Sequence, residues 1–294
     1  MIPHPLALHA AEACLAMVDR VAPGLVEGFY IVGSVALDDF RPAISDLDFV
    51  IVTGARPGDD LQTALAEGHA RLDGEASLPK LDGVYATWDE LLMGPFEAPV
   101  GPCVEAGLFV SSDIHGRHPM TWGVLRRVAV TLRGPLLAGA TIWWDPGCLE
   151  RWAVESVGSY WRPSLSRMLV KCSPEGVCTL DGRAIERTVL GLCRLHYILA
   201  TGVVPSRSDA GLYGLISLPR TCHRIIEEAL RIRREPAAAS IYADPEGRHG
   251  DVLKFVRVVL ADLPSLASAD VRGLSGRRDA SARRSVPPTF SIDR

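Results

Sequence analysis

The sequence predicts an α+β protein in which an N-terminal mixed sheet with helices is followed by a C-terminal α-helical bundle. Three observations support this fold class. Short β-branched runs alternate with helical patterns in the first half, the hydrophobic period becomes helical beyond about residue 146, and glycines and prolines separate the later helices. A length of 294 residues is enough for two packed domains. We therefore expect domains over residues 1–145 and 146–268.

The first half contains the predicted strands. Apolar side chains recur at helical spacing over 7–20 and 58–72, where we expect helices. Short apolar, aromatic and β-branched runs predict strands at 28–32, 47–52, 83–87 and 128–132. Prolines and glycines crowd residues 95–120, so that segment is predicted to be irregular. Helices that lie between successive strands favour a sheet covered by helices.

The second half is predicted to be helical. Its periodic segments cover 147–161, 183–201, 207–217, 221–234 and 250–262. Residues 270–294 hold six arginines and three aspartates, with almost no apolar periodicity. We therefore expect a disordered basic tail over 269–294, which is either a solvated terminus or an arm for an anionic partner.

The composition argues against several functional classes. The 35 acidic and 31 basic side chains give a net charge of −4, so no overall basic field attracts nucleic acid. The seven cysteines are scattered without a CxxC pair, which argues against a zinc site or disulfide framework and favours a reducing cytoplasm. No run approaches the roughly 20 apolar residues that span a bilayer. We expect a cytoplasmic monomer with neither a membrane nor a nucleic-acid partner.

The most informative segment spans residues 31–52. Gly33 and Ser34 directly follow a predicted strand. A glycine at this place lets the backbone come close to a phosphate, and the serine with the N–H groups of the next turn can donate hydrogen bonds to its oxygens. A Gly-Ser pair alone is a common turn, so it indicates a phosphate site only in combination with a second motif.

A pair of carboxylates follows the Gly-Ser pair after eleven residues. Asp46 and Asp48 alternate with apolar neighbours, and strand side chains alternate faces, so both carboxylates emerge on one side. Such a pair can hold Mg²⁺ and leave coordination positions for substrate phosphates. Asp38 and Asp39 are adjacent and point apart, so we leave them out of the predicted site. The combined spacing is far more specific than either motif alone.

The Gly-Ser and Asp-Leu-Asp motifs together resemble the signature of the nucleotidyltransferase superfamily, which includes polymerase-β-like enzymes. This resemblance implies that the N-terminal domain transfers nucleotidyl groups. It also implies a third carboxylate on a later strand, for which Asp82, at the entry of the third strand, is the candidate. Asp46, Asp48 and Asp82 are then the implied catalytic and metal-binding residues. The alternative is that Asp82 is a turn residue before Gly83.

The second half resembles the helical domain of aminoglycoside adenylyltransferases of the streptomycin and spectinomycin type. The resemblance rests on residues 187–211, and with the N-terminal motifs it covers roughly residues 25–262. In that family the bundle closes over ATP. The resemblance therefore implies that Arg194 and Arg207 approach the phosphates.

The residues themselves allow two interpretations of the arginines. Ser206 can cap a helix that begins with Arg207, and the positive start of that helix favours a triphosphate. Alternatively, the arginines pair with bundle carboxylates such as Glu186. The family resemblance, and not the residues themselves, implies a cationic aminocyclitol as substrate, which the carboxylates Glu175, Asp181 and Glu186 would attract.

The sequence thus predicts an ATP- and Mg²⁺-dependent nucleotidyltransferase that adenylylates a hydroxyl of a small molecule, an aminoglycoside-type antibiotic, and releases pyrophosphate. Gly33, Ser34 and the two arginines would bind ATP, the carboxylate pair would hold Mg²⁺, and Asp82 would bind a second ion or act as base. Two alternatives remain. One is a toxin-like nucleotidyltransferase acting on RNA or protein, and the other is a non-catalytic nucleotide-binding module.

Overall fold

The computed structural model describes residues 2–137, 142–145, 147–165 and 181–274. The strands of these residues are β1 Val26–Ile31, β2 Leu47–Thr53, β3 Leu81–Thr87, β4 Gly101–Glu105, β5 Leu108–Asp113 and β6 Val130–Arg133. The helices are α1 Pro5–Val21, α2 Gly33–Ala36, α3 Asp59–Asp73, α4 Trp88–Met93, α5 Pro119–Val128, α6 Cys148–Ser156, α7 Gly182–Thr201, α8 Arg207–Ser217, α9 His223–Arg234 and α10 Pro245–Leu274. A π-helical turn, Val157–Trp161, continues α6.

The six strands form one mixed sheet in the order β5-β4-β3-β2-β1-β6. Strands β2 and β3 are parallel and are joined by α3, whereas the other neighbouring pairs are antiparallel. In the parallel pair, Asp48 lies opposite Asp82. The register therefore places one carboxylate of the Asp-Leu-Asp motif beside the candidate third carboxylate.

The central strands are buried on both faces. Phe29 and Phe49 pack on one face against the layer that contains α1 and α3. Tyr30 and Val50 point to the opposite face, where they belong to a core that continues into the helical bundle. Because sheet and bundle share this core, the bundle is packed directly against the face of the sheet. The predicted α+β class with a C-terminal helical region is confirmed.

The prediction that residues 95–120 are irregular is wrong. Strands β4 and β5 form an antiparallel hairpin in this segment. Its two-residue turn consists of Ala106 and Gly107, both with positive φ (+50° and +92°), a geometry whose twist suits the flanking strands. The register shifts around Pro102, and a bulge tolerates the missing N–H of proline. These turn-forming residues shape the hairpin instead of preventing it.

Helix α7 of the bundle core has clear signals at both ends. The carboxylate of Asp181 accepts a hydrogen bond from the Ala184 N–H at 2.7 Å, which caps the start. Gly202 ends the helix in the left-handed region, with φ of +67°. These caps fix the helix that carries Arg194 and Glu186.

Helix α10 is longer than predicted, since it runs to Leu274. The predicted basic tail over 269–294 therefore starts within this helix, and its residues 275–294 lie outside the described residues. Within the part of the chain that the structure describes, no helix combines the length and the apolar character needed to cross a membrane.

Candidate active site

A cleft of about 950 Å³ lies between the sheet and the bundle. Its walls come from the β1–α2 junction, the starts of β2 and β3, the loop before α5, and helices α5 to α9, of which α9 contributes Arg233. All the predicted site residues line it, namely Gly33, Ser34, Asp46, Asp48, Asp82, Arg194 and Arg207. The fold therefore brings together residues that are far apart in the sequence.

Gly33 lies where no side chain fits. Its φ is +57°, a left-handed conformation, and a Cβ added there would lie 1.9 Å from Oδ2 of Asp48. The next residue, Ser34, donates its backbone N–H to the same oxygen at 3.4 Å. The Ser34 hydroxyl oxygen is buried and has no hydrogen-bond partner among the described residues. The Gly-Ser pair thus positions the carboxylate and leaves a hydroxyl for a ligand.

The carboxylates lie in an environment that disfavours their ionised form. Burial, with the nearby charge of Asp82, raises the pKa of Asp48 to about 6. Burial and the Asp82 charge also raise the pKa of Asp46, although Arg183, Arg187 and Arg207 oppose that shift. Grouped carboxylates of this kind are stabilised in their ionised form when a cation binds among them.

These carboxylates suit an ion that the substrate helps to coordinate. Within the described ranges, no three His, Cys, Asp or Glu side chains form a ready-made metal-binding group. Mg²⁺ does not need one, because it is usually held by one or two carboxylates together with water and substrate phosphates. Hard oxygen donors in a shared cleft match that preference. The residues present therefore fit Mg²⁺ bound together with a nucleotide.

His115 is a site residue that the sequence analysis missed. It lies in the loop after β5, and its Nε2 is 2.6 Å from Oδ1 of Asp82. The hydrogen bond to Asp82 is the largest cause of a raised pKa for this imidazole. No motif surrounds His115 in the sequence, and only the hairpin return of β4 and β5 brings it to β3. Asp82 is thus a partnered residue that lines the cleft, and not merely a turn residue.

The bundle supplies positive charge to the opposite wall. Arg194 donates from Nε to the carbonyl of Pro205 at 3.0 Å, a bond that leaves both Nη groups for the cleft. Burial, followed by the charge of Arg207, lowers the pKa of Arg194 to about 10, so it remains cationic at neutral pH. Arg207 donates from Nη1 to Oε2 of Glu186 at 2.8 Å, and its side chain is 34% exposed. It therefore pairs with Glu186 and also lines the cleft.

The start of α8 is not open to a triphosphate, contrary to the expectation from the helix dipole. Both the backbone N–H and the hydroxyl of Ser208 donate to the Asp39 carboxylate, at 3.0 and 2.7 Å. An internal anion thus occupies the positive end of this helix. Asp39 is 2% exposed and was left out of the predicted site, although it lies on the cleft wall. Its role could not be found from local spacing, because Ser208 is 169 residues away.

The carboxylates expected to attract a cationic acceptor have other partners. Asp181 caps α7, and Glu186 accepts hydrogen bonds from two arginines. Glu175 lies outside the described residues. Besides the aspartates already described, Glu105 and Glu155 line the cleft.

Comparisons with known proteins found a family model and a solved structure that are similar to parts or most of this chain. Residues 169–262 match the family model described as aminoglycoside adenylyltransferase, C-terminal domain. The structure is similar to the crystal structure of spectinomycin adenyltransferase AAD(9) from Enterococcus faecialis with ATP and spectinomycin. That similarity has a TM-score of 0.63 and 15% identity, and covers 86% of this chain and 98% of the other. No curated protein sequence matches the chain. Residues 169–262 therefore resemble the C-terminal domain of an aminoglycoside adenylyltransferase, and the structural similarity shows that this chain and AAD(9) share a fold.

Proposed function

We propose that this protein is an enzyme that transfers the adenylyl group of ATP to a hydroxyl of an aminoglycoside-type antibiotic and releases pyrophosphate. This proposal rests on the distribution of charge in the cleft, which has carboxylates on one wall and arginines on the other. Asp46, Asp48 and Asp82 lie on the sheet side, and Arg194 and Arg207 face them from the bundle. A nucleoside triphosphate needs both a cation site and a phosphate-binding wall, and this cleft offers them together.

The carboxylate pair of Asp46 and Asp48 would hold Mg²⁺ bound together with the triphosphate. Bound there, Mg²⁺ would neutralise charge that develops on the triphosphate. Asp46 and Asp48 supply the oxygen donors. Because Gly33 has no side chain, the Asp48 carboxylate can lie beside the backbone N–H of Ser34, which donates to it at 3.4 Å. Because the pKa of Asp48 is raised, a bound cation would stabilise the ionised form of this carboxylate.

Transfer requires one bond to form and one to break. The acceptor hydroxyl oxygen attacks the α-phosphorus, and the bond from that phosphorus to the oxygen bridging to the β-phosphate breaks, so pyrophosphate leaves. The hydroxyl proton goes to Asp82, whose Oδ1 is held by His115 at 2.6 Å while its other oxygen stays available. The guanidinium groups of Arg194 and Arg207 offset the negative charge on the leaving pyrophosphate.

The acceptor would bind against the aromatic and acidic part of the cleft lining. Trp152, Tyr160 and Phe96 supply aromatic surface there, and Glu105 and Glu155 supply negative charge. Aromatic faces and carboxylates suit a cationic sugar or aminocyclitol ring. The structurally similar AAD(9) was crystallised with spectinomycin, which supports an acceptor of this kind.

A panel assay tests the proposal. Purified protein is incubated with ATP, Mg²⁺ and single antibiotics that include streptomycin, spectinomycin and several other aminoglycosides, and pyrophosphate release is measured. We expect release that depends on one or a few of these compounds and is absent from an Asp46→Asn control. Release that requires RNA or a protein substrate would favour the toxin-like alternative. Calorimetric ATP binding without release under any condition would favour a nucleotide-binding module.

A further inference from the structure

A buried network of charged groups connects the segment between α2 and β2, residues 37–46, to three helices of the bundle. We call this segment, which follows Gly33 and Ser34, the nucleotide loop. Arg233 of α9 donates from Nε to Oδ2 of Asp39 at 2.7 Å and from Nη2 to the Asp39 carbonyl at 2.8 Å. Its Nη1 donates to Oε1 of Glu186 at 2.8 Å. Glu186 in turn accepts from Arg207, and Ser208 donates to Asp39. We call these five residues the Asp39 network.

The Asp39 network is too buried to be a surface feature. Asp39, Glu186 and Arg233 are 2%, 4% and 3% exposed, and their carboxylates and guanidinium group are mutually paired. Charges are buried at considerable cost unless they are paired and hydrogen-bonded. The network therefore fixes where the bundle meets the loop that follows Gly33 and Ser34.

Arg233 and Arg207 differ in what they can do for a ligand. All three guanidinium nitrogens of Arg233 already donate to protein groups, so this side chain has little left for a phosphate. Arg207 uses one Nη for Glu186 and is one-third exposed in the cleft. Because the guanidinium group is planar, a hydrogen bond through one of its nitrogens also fixes the direction of the remaining N–H groups.

We propose that Arg233 is a positioning residue: through Glu186 and Asp39 it locks α7, α8 and the nucleotide loop together and so aims Arg207 at the triphosphate. This inference rests on the proposed function, because it concerns the same nucleotide site. A positioning role of Arg233 differs from a purely structural role in one respect. The contribution of Arg233 to nucleotide binding passes through Arg207 and disappears when Arg207 is removed.

Calorimetry with ATP tests this dependence in four proteins. They are the parent, Arg233→Met, Arg207→Ala and the double variant. We expect Arg233→Met to raise the Kd for ATP about tenfold in the parent and by less than about twofold in the Arg207→Ala background. Arg231→Met is the matched control. Arg231 lies on the same helix and pairs with buried Glu228, but it does not line the cleft, so its replacement should leave the Kd unchanged.

A milder variant covers the case in which Arg233→Met does not fold. Ser208→Ala removes only the hydroxyl bond to Asp39 and should raise the Kd about threefold, again only when Arg207 is present. Additive effects of either variant with Arg207→Ala would overturn the positioning role and leave the proposed function intact. So would unchanged ATP affinity in both variants. A parent protein that binds no ATP would overturn the proposed function and the inference with it.

Discussion

Replacing Gly33 by alanine separates backbone strain from displacement of a catalytic group. The left-handed φ of +57° costs a non-glycine residue about 1 kcal/mol. The new Cβ would also lie 1.9 Å from Oδ2 of Asp48, a distance that forces the carboxylate to move by roughly 1 Å or more. Misplacement of that size costs on the order of 10²-fold in rate. We therefore expect modest destabilisation and a loss of kcat/KM for adenylyl transfer of about 10²-fold or more.

Gly202→Ala is the matched control for this prediction. Gly202 has a similar φ of +67°, but nothing lies within 4 Å of an added Cβ. The Gly202→Ala variant should lower the thermal unfolding midpoint about as much as Gly33→Ala does, but it should retain most of the transfer activity. Thermal unfolding and steady-state transfer kinetics measure both effects. The contrary result is that the two variants keep activities within about threefold of each other, which is a difference of about 0.65 kcal/mol in activation free energy. In that case Gly33 does not position a catalytic carboxylate through its contact with Asp48.

Four further predictions concern the two walls of the cleft. Asp46→Asn and Asp48→Asn should each abolish transfer because each removes an anionic metal ligand, and activity within about tenfold of the parent would contradict that role. Asp82→Asn should bind ATP and Mg²⁺ normally by calorimetry yet transfer about 10²-fold more slowly, since an amide is a poor base; combined loss of binding and rate would make it a nucleotide ligand instead. Arg194→Ala and Arg207→Ala should weaken ATP binding more than acceptor binding, as measured by calorimetry. Unchanged ATP affinity in both variants would show that these arginines only contribute to packing. Without divalent cations, Asp48→Asn should be more stable than the parent above pH 6, by roughly 3 kcal/mol, because the pKa of Asp48 is raised from its unfolded value to about 6 and its ionisation opposes folding. Thermal unfolding should show that this difference vanishes near about pH 4.

Local patterns in the sequence predict much of the fold and one wall of the site. Strand alternation and the glycine before Ser34 depend on neighbouring residues, so the Asp-Leu-Asp motif and its place in the sheet can be inferred from spacing. The parallel pairing of β2 and β3 then places Asp82 beside Asp48 without further information. Helix periodicity similarly places Arg194 and Arg207 on adjacent helices.

Contacts between distant residues could not be inferred in this way. His115 reaches Asp82 only because Ala106 and Gly107 form a tight turn, in a segment whose prolines argue for irregular structure. Asp39 receives its partners from α8 and α9, which are 169 and 194 residues further along the chain. Buried charged pairs depend on the packing of whole elements, and no periodic pattern records them.

Adenylyl transfer to a small molecule moves the α-phosphate of ATP to the acceptor, so ATP labelled at a single phosphate tests the reaction directly. An antibiotic that supports pyrophosphate release is incubated with enzyme, Mg²⁺ and ATP labelled at either the α- or the γ-phosphate, and the products are separated and identified by mass. We expect the α-label on the antibiotic, attached as AMP, and the γ-label in pyrophosphate. A γ-label on the antibiotic would mean phosphoryl transfer, and an α-label found only on RNA or protein would mean a different acceptor. Either result would contradict the account.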